Sequence, residues 1–283
     1  MLQSSDEKAT ESIARTAPLR DEQWVVVDEG WGHSAVDFAT LSEPANCREY
    51  VAIHHRLGVD NGDELLDVAC GAGLAVELAG IRGAACAGLD ASPRLLAIAR
   101  DRCPDADLRA GDMCALPWAD ASFDVVTSFR GIWGTTLDAL DEAYRVLRPD
   151  GRIGITVWGH LKASTGNWAL APFRLAAEPK VANQAAMVRL GRPGVGEDAL
   201  ARRGFVDIQR VCVPFVWEFS DPHQFARAIA STGPAYEAIQ MAGEAEFMRV
   251  AQACAEPRRR QGLPFRATID VVGYLARKPE AER

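Results

Sequence analysis

The sequence predicts an α/β fold with a doubly wound, mostly parallel sheet. Short apolar segments alternate with helical patterns from residue 64 to residue 158, and this alternation is typical of parallel strands joined by helices. The first apolar segment ends in the glycine turn Gly71-Ala72-Gly73, and the second ends at Asp90. Ligands of open α/β sheets bind beyond the carboxyl ends of the strands, so the sequence predicts a site at that edge.

The individual elements follow from local turn and capping signals. Ser92-Pro93 combines an N-cap with proline at the first helical position, and Pro149-Asp150-Gly151 is a turn that precedes a strand. Pro214 interrupts a long strand, which predicts an edge position or a bulge. Strands are predicted at 64–69, 84–89, 107–110, 123–128, 151–158, 205–219 and 266–277. Helices are predicted at 45–57, 73–82, 92–102 and 135–147, with two more over 221–256 divided at Gly233-Pro234.

The chain divides into a leader and one main domain. Residues 1–57 are predicted to form leader or lid helices, with frayed residues at 1–20, and residues 58–283 to form the domain. Insertions at about 160–204 and 220–264 are expected to form helical caps. The leader contains Trp24, Trp31, Phe38 and Tyr50, which either cover the mouth of the site or only dock the leader on the core.

Composition excludes several classes of function. Hydrophobic residues make up 48% of the 283 residues, as in a globular protein, and the net charge of −8 argues against nucleic acid as the substrate. Seven cysteines without paired spacing or a secretory signal indicate reduced thiols in a cytoplasm, and no spacing suggests a metal site. No apolar run is long enough to span a membrane. We expect a small-molecule partner; the oligomeric state stays open, with a homodimer among the alternatives.

Three aspartates at strand ends indicate what the site binds. Asp67 lies four residues before Gly71, where a carboxylate would repel a phosphate and favour a ligand with a positive end. Asp90 is placed to accept the hydroxyls of a ribose, and Asp112, after the third strand, is placed to accept a hydrogen bond from an adenine. A nucleoside without phosphates that carries a cation satisfies all three, and S-adenosylmethionine is such a molecule.

Four motifs in order resemble a known family. Asp67-Val-Ala-Cys-Gly-Ala-Gly73, Gly88-Leu-Asp90-Ala-Ser92, Ala110-Gly-Asp112-Met113 and Arg145-Val-Leu-Arg-Pro-Asp-Gly151 resemble those of the class I S-adenosylmethionine-dependent methyltransferases. The chain is most similar to the group of the ubiquinone and menaquinone C-methyltransferases (methyltransferase type 11), mainly over residues 60–160. The resemblance implies a seven-stranded Rossmann-like sheet of order 3-2-1-4-5-7-6, with the last strand antiparallel.

The motifs together predict the residues that bind the cofactor. Those after strand four are expected to face the methionine side because the family's fourth strand end does. The predicted set is Asp67, Ala69, Cys70, Gly71, Ala72, Gly73, Asp90, Ala91, Ser92, Gly111, Asp112, Met113, Phe129, Arg130 and Gly131. The Asp/Asn-Pro-Pro-Tyr/Phe motif that grips a base amine is absent after strand four, so amino-base methylation in nucleic acid is not expected.

The acceptor end gives weaker signals. His33 and His160 are the predicted catalytic bases, because His33 lies in a glycine-tryptophan turn and His160 ends strand five. The predicted substrate-binding residues are Trp31, Trp133, Trp217, Phe219 and Tyr236. For Trp217 and Phe225, packing of a cap against the sheet is the favoured interpretation. If several of these aromatics line a cleft, the acceptor is a flat or apolar small molecule.

Three functions are compatible with these observations. The first is transfer of a methyl group from S-adenosylmethionine to oxygen, carbon or nitrogen of a small apolar or aromatic acceptor. The second is an NAD(P)-dependent oxidoreductase, which is disfavoured because Val76 replaces the third glycine of the dinucleotide motif and Asp67 would face a pyrophosphate. The third is a non-catalytic protein that binds S-adenosylmethionine.

Overall fold

A computed structural model describes residues 21–133, 136–176, 188–259 and 264–280. Within these ranges the strands form one sheet of order β3-β2-β1-β4-β5-β7-β6. The strands are β1 (Glu64–Val68), β2 (Ala85–Asp90), β3 (Asp107–Ala110), β4 (Phe123–Phe129), β5 (Leu147–Trp158), β6 (Val206–Phe219) and β7 (Phe265–Arg277). Strand β7 runs antiparallel to both neighbours, whereas the pairs among β1 to β5 are parallel. The predicted fold class and strand order are confirmed.

Helices cover both faces and the carboxyl edge of the sheet. The α-helices are α1 (Asp21–Gly32), α2 (Cys47–Leu57), α3 (Leu74–Ile81), α4 (Pro93–Arg102), α5 (Asp138–Val146), α6 (Val195–Ala201), α7 (Pro222–Ala230), α8 (Gly233–Ala242) and α9 (Glu244–Arg259). Between α1 and α2 the chain forms a helical turn at Ala35–Asp37, a π-helical turn at Phe38–Ser42 and a 3-10 turn at Glu43–Asn46. Two further 3-10 segments follow β5, at Leu161–Ala163 and Asn167–Leu175. No helix in the described ranges combines the length and apolarity of a membrane span.

Most predicted boundaries hold to within a few residues, and two details differ. Strand β5 begins at Leu147, before the predicted position, because Leu147 pairs with Phe123 ahead of a register shift. The predicted break lies just before Gly233 and Pro234, which begin α8, and a further break at Gly243 (φ 84°) separates α8 from α9, so 221–256 contains parts of three helices and not two. Proline is tolerated in a first helical turn because its missing N–H has no partner there. Residues 1–20, which were expected to be frayed, and residues 177–187 of the expected cap at 160–204 lie outside the described residues.

The apolar strands are buried on both sides. Adjacent residues of one strand belong to different cores: Leu65 and Val125 pack with one set of helices, and Leu66 and Val126 with the other. All four side chains have no exposed surface, and a fully buried side chain of this kind contributes roughly 1.5–3 kcal/mol. Pro214 lies on β6, which is an edge strand, as its position predicted. This two-sided burial leaves the carboxyl edge as the place where polar side chains meet.

The leader is tied to that edge by polar contacts. The Asp28 carboxylate accepts a hydrogen bond from Ser92 Oγ at 2.5 Å and pairs with Arg94 at 2.9 Å, which joins α1 to α4. Asp37 pairs with Arg227 of α7 at 2.6 Å. The leader is therefore held by ion pairs to α4 and to α7. The division of the chain into leader and domain stays a prediction.

Candidate functional site

A cavity of about 510 Å³ lies at the carboxyl edge of the sheet. Its lining comes from the ends of β1 to β5, from β6, from the leader and from the segment after β5. This volume is within the usual range of small-molecule sites. Of the predicted site residues, those that line it are Trp31, Asp67, Ala69, Cys70, Gly71, Asp90, Ala91, Gly111, Asp112, Met113, Phe129, Arg130, Gly131, Trp133 and Trp217.

The glycine turn after β1 forms the floor of the cavity. Ala69, Gly71 and Gly73 have φ values of 62°, 58° and 86°, so the backbone turns sharply between β1 and α3. A Cβ on Gly73 would lie 2.8 Å from the Cβ of Ala99, which makes glycine necessary where the turn packs on α4. Ala69 holds a left-handed conformation that costs a non-glycine residue roughly 1–3 kcal/mol, and such strain is common at functional sites.

Asp67 is a buried carboxylate without a cation among the residues that the structure describes. Its Oδ1 accepts a hydrogen bond from Thr127 Oγ1 at 2.7 Å. Burial, together with the neighbouring charges of Asp90, Glu43 and Glu49, raises the pKa of Asp67 to about 8, although the hydrogen bond from Thr127 acts in the opposite direction. Near neutral pH the carboxyl is therefore mostly protonated, and a cationic ligand in the cavity would favour its ionised form.

Asp90 supports the glycine turn as well as the cavity. Its Oδ2 accepts a hydrogen bond from Gly71 N and its Oδ1 from Ser92 N, each at 2.8 Å. Burial raises its pKa, and these main-chain N–H groups act in the opposite direction. A carboxylate oxygen has two lone pairs, so each oxygen keeps acceptor capacity for a ligand.

Asp112 and Met113 close the end of the cavity beside β3. The Asp112 Oδ1 accepts a hydrogen bond from Cys114 N at 2.8 Å, which fixes the carboxylate at the strand end. Both residues line the cavity with Gly111, whose N–H donates to the carbonyl of Asp90. The three predicted aspartates therefore meet in one crevice.

Residues after β4 form the middle of the cavity. Arg130 has φ 57° and its guanidinium pairs with the fully buried Glu49 at 3.0 Å. The indole Nε1 of Trp133 donates to the carbonyl of Arg130 at 2.5 Å, which fixes the ring in the lining. A Cβ on Gly131 would lie 3.2 Å from the carbonyl oxygen of Val68 and closer still to the Cβ of Ala69, so this segment packs tightly against the end of β1.

Seven predicted residues do not line the cavity. Ala72 and Gly73 support the turn from behind, and Ser92 caps α4 by accepting from Leu95 N at 3.2 Å. Phe219 packs on Phe225 in the core, with ring centroids 5.2 Å apart. The remaining three are Tyr236, His33 and His160.

The two predicted bases are directed elsewhere. Each ring nitrogen of His33 lies 3.0 Å from a carbonyl oxygen, one of Gly30 and one of Ala230, and the ring contacts Tyr236. His160 is exposed, and its main-chain N–H donates to the carboxylate of Asp270 at 2.7 Å. No histidine of the described residues lines the cavity.

The leader contributes a glutamate that the sequence did not reveal. Glu43 lines the cavity, is only 1% exposed and forms an ion pair with Arg102. Its Oε1 accepts from Leu74 N at 3.4 Å, so its carboxylate occupies the N-terminus of α3, where a phosphate would bind in a dinucleotide fold. Burial raises the pKa of Glu43 to about 7, and Arg102 lowers it. No local pattern marks this residue, because its partner lies on another helix.

Other lining residues were not among the predicted site residues. Tyr50 is buried and its hydroxyl accepts from Asn46 Nδ2 at 3.0 Å. Both residues line the cavity, as do Phe38 from the leader and Trp158 from the end of β5. Clustering of aromatics in the leader was the available signal, but it did not distinguish a lining role from docking.

Comparison with known proteins identifies the family. A family model described as a methyltransferase domain matches residues 66–155. Nocamycin O-methyltransferase from Saccharothrix syringae is 30% identical over 242 residues, which cover 77% of this chain and 81% of that protein. The chain belongs to the class I S-adenosylmethionine-dependent methyltransferases. The family and its cofactor, as expected from the four motifs, are confirmed.

The similarity to quinone-modifying relatives is more local. Demethylmenaquinone methyltransferase from Renibacterium salmoninarum is 34% identical over 130 residues, which cover 45% of this chain and 55% of that protein. The chain thus spans about half the length of these curated relatives. The part of this chain that the family model matches contains the glycine turn and the three aspartates, but neither the leader nor the segments after β5.

Solved structures share the fold at low identity. Phosphoethanolamine N-methyltransferase 2 from Haemonchus contortus, in complex with S-adenosyl-L-methionine, gives a TM-score of 0.55 at 18% identity, covering 87% of this chain and 57% of that one. The [4+2]-cyclase SpnF gives a TM-score of 0.54 at 21% identity, covering 83% and 82%. At these identities the comparison shows a common fold alone.

Proposed function

We propose that this chain binds S-adenosylmethionine and transfers its methyl group to a small apolar or aromatic acceptor. The observation that carries the proposal is Asp67, a buried carboxyl without a cationic partner among the described residues, in the same cavity as Asp90 and Asp112. A ligand with a positive centre beside an adenosine supplies the missing cation and uses the other two acceptors. Family membership supports the same ligand.

The lining residues fit each part of that ligand. Asp112 and Met113 would hold the adenine by a hydrogen bond and an apolar contact, and Asp90 would hold the ribose beside Ala91. The turn around Gly71 lets the backbone approach the methionine end, where Asp67 lies. Ala72, Gly73 and Ser92 would act indirectly, by shaping the turn and the start of α4.

The protein's part in the reaction is mainly to position the acceptor. When bound, S-adenosylmethionine supplies a methyl group on a sulfonium, and the electron pair of the broken S–C bond remains on sulfur as an acceptor electron pair takes the methyl carbon. Phe129, Trp133, Trp158 and Trp217 line the cavity where an acceptor would lie, and they exclude water. Alignment of this kind can account for roughly 7–11 kcal/mol of a barrier.

Oxygen is the acceptor atom that the comparisons favour within this proposal. A relative that aligns over most of this chain is named an O-methyltransferase, which supports oxygen as the methylated atom. With no histidine in the described lining, proton removal by His33 or His160 gains no support from the geometry. An NAD(P)-dependent role is disfavoured, because Glu43 and Asp67 would both face a pyrophosphate.

Calorimetry and product analysis test the proposal. We expect S-adenosylhomocysteine and S-adenosylmethionine to bind the purified chain, and NADH to produce no heat. The same protein is then incubated with S-adenosylmethionine and a panel of phenols, quinones, indoles and aromatic acids, and mass spectrometry is used to find a product heavier by one methyl group. Absence of cofactor binding contradicts the whole proposal. Binding without any methylated product supports the non-catalytic alternative.

A further inference from the structure

The cavity has opposite charge at its two ends. Asp112, Asp90 and Asp67 lie at the ends of β3, β2 and β1, whereas the lining cations, Arg130 and Arg174, lie beyond β4 and β5. Neighbouring strands are about 4.8 Å apart, so β2 and β5 are separated by about 14 Å across β1 and β4. If the adenosine occupies the acidic end, the acceptor occupies the end with the guanidinium groups.

Arg130, which the sequence predicted to face the methionine side of the cofactor, lies at this end and is held by three neighbouring side chains. Its guanidinium carbon lies 4.7 Å from the ring centroid of Trp158 and 4.5 Å from that of Phe215, and Glu49 pairs with it from α2. The Glu49 carboxylate is itself fixed by the hydroxyl of Thr156. The Arg130 side chain is only 11% exposed, yet its buried Nε has no hydrogen-bond acceptor among the described residues.

That donor needs a partner. A buried N–H without an acceptor is unfavourable, and native structures rarely leave one in place. Arg130 lines the cavity, so an acceptor oxygen on a ligand is available to it where protein groups are not. Because Glu49 balances the charge of Arg130, Arg130 offers a ligand a hydrogen-bond donor at a fixed position but little net positive charge.

Arg174 supplies the net charge. It lies in the segment Asn167–Leu175, is exposed, lines the cavity, and pairs with no carboxylate of the described residues. Apolar residues of the same segment and its neighbour, including Leu161, Leu170 and Phe173, line the cavity beside it. The acceptor end therefore combines an aromatic and aliphatic wall with two guanidinium groups.

We propose that the acceptor carries an acidic oxygen on an apolar framework, a carboxylate or a readily ionised enol or phenol, and that Arg130 and Arg174 bind it. This inference rests on the proposed function and names its acceptor class. An oxygen that is already ionised needs no protein base, which agrees with a lining without histidine among the described residues. An amine acceptor, which carries positive charge in water, would be repelled by the unbalanced charge of Arg174.

Binding of a matched pair of probes tests the inference without turnover. The probes are 1-hydroxy-2-naphthoate and its neutral carboxamide, titrated by calorimetry into protein saturated with S-adenosylhomocysteine. We expect the anion to bind about 10- to 100-fold more tightly than the carboxamide, as for one or two charge-assisted hydrogen bonds. Arg174→Gln should reduce that ratio at least severalfold. Arg249→Gln, which removes an exposed cation on α9 outside the cavity lining, should leave the ratio unchanged.

A second variant addresses Arg130 without leaving a buried carboxylate unpaired. The double variant Glu49→Gln with Arg130→Gln keeps polar side chains at both positions and should lower affinity for the anion more than for the carboxamide. Equal affinities in the unchanged protein, no binding of the anion, or an unchanged ratio in both variants overturns the inference. Because S-adenosylhomocysteine saturation is verified first, failure of the proposed function is recognised separately.

Discussion

The carboxylate of Asp90 accepts a hydrogen bond from the main-chain N–H of Gly71, with 2.8 Å between nitrogen and oxygen. This bond joins the tip of β2 to the glycine turn after β1, so the aspartate that is expected to hold a ribose also holds the turn against which the ligand lies. Its other oxygen accepts from Ser92 N. Scaffold and binding group are thus the same side chain.

Asp90→Asn should weaken both stability and cofactor binding. An amide presents an N–H₂ group to one of the two main-chain donors, so a buried bond is lost and two donors face each other. We expect the free energy of unfolding to fall by about 1–3 kcal/mol and the affinity for S-adenosylhomocysteine to fall at least tenfold. Denaturant unfolding and calorimetry measure the two effects.

The control for this change is Asp101→Asn, an exposed aspartate on α4. Its stability should stay within about 0.5 kcal/mol of the unchanged protein. An Asp90→Asn protein with unaltered affinity would contradict the assignment of Asp90 to the ribose, even if its stability fell.

Cofactor affinity should depend on pH through Asp67. Its pKa of about 8 in the free protein means that it is largely protonated at neutral pH, whereas the ammonium group of the bound amino-acid end, which S-adenosylhomocysteine also carries, favours the carboxylate. Binding therefore releases a proton, and affinity for S-adenosylhomocysteine should rise from about pH 6 to about pH 8. Calorimetry at neutral pH in buffers of different ionisation enthalpy should detect the released proton.

Asp67→Asn separates this residue from other titrating groups. The amide oxygen can still accept a hydrogen bond from Thr127, but the amide has no proton to release near neutral pH. The variant should therefore bind S-adenosylhomocysteine more weakly and release fewer protons on binding. Glu43, with a pKa of about 7, titrates in the same range, and Glu43→Gln measures its share. Proton release that is unchanged in Asp67→Asn would exclude Asp67 as its source.

The fold and the cofactor end of the site were predictable because their signals are local. Apolar segments, the glycine turn and the Ser92-Pro93 cap each lie within a few residues of what they determine. The direction of the His33 ring depends on the carbonyl of Ala230, 197 residues away, and Glu43 depends on Arg102, 59 residues away. Contacts of this range leave no periodic pattern in a single sequence.

Gly131→Ala should disturb the contact between β4 and β1. The added Cβ would lie 2.9 Å from Ser128 Oγ and 3.2 Å from the carbonyl of Val68, with Ala69 closer still, so the backbone beside the cavity must shift. We expect a loss of roughly 1–3 kcal/mol in stability and weaker S-adenosylhomocysteine binding. Gly80→Ala is the matched control: a Cβ there meets nothing within 4 Å, and alanine in α3 should stabilise by about 0.5–1 kcal/mol. Two variants with equal effects would show that crowding at residue 131 is not the cause.

Arg102→Met should loosen the leader from the glycine turn. Arg102 donates to the carbonyls of Ala72 and Ala39, at 3.0 and 2.8 Å, and pairs with Glu43, so it joins the turn and the leader at one point. Removal leaves a buried carboxyl unpaired; because Arg102 is itself partly exposed, we expect a loss of about 2–3 kcal/mol, below the range for fully buried pairs.

The double variant Glu43→Gln with Arg102→Met distinguishes the charge from the tether. It removes the unpaired carboxyl but still leaves two carbonyls without their donor, so its loss should be smaller than the sum of the two single losses. Arg100→Met is the control, since Arg100 lies on the same helix and, among the described residues, donates to a single carbonyl, that of Leu108, at 3.2 Å. If the loss in the double variant equals the sum of the losses in Glu43→Gln and Arg102→Met, the two side chains do not stabilise each other. The leader is then held to the turn by its apolar contacts instead.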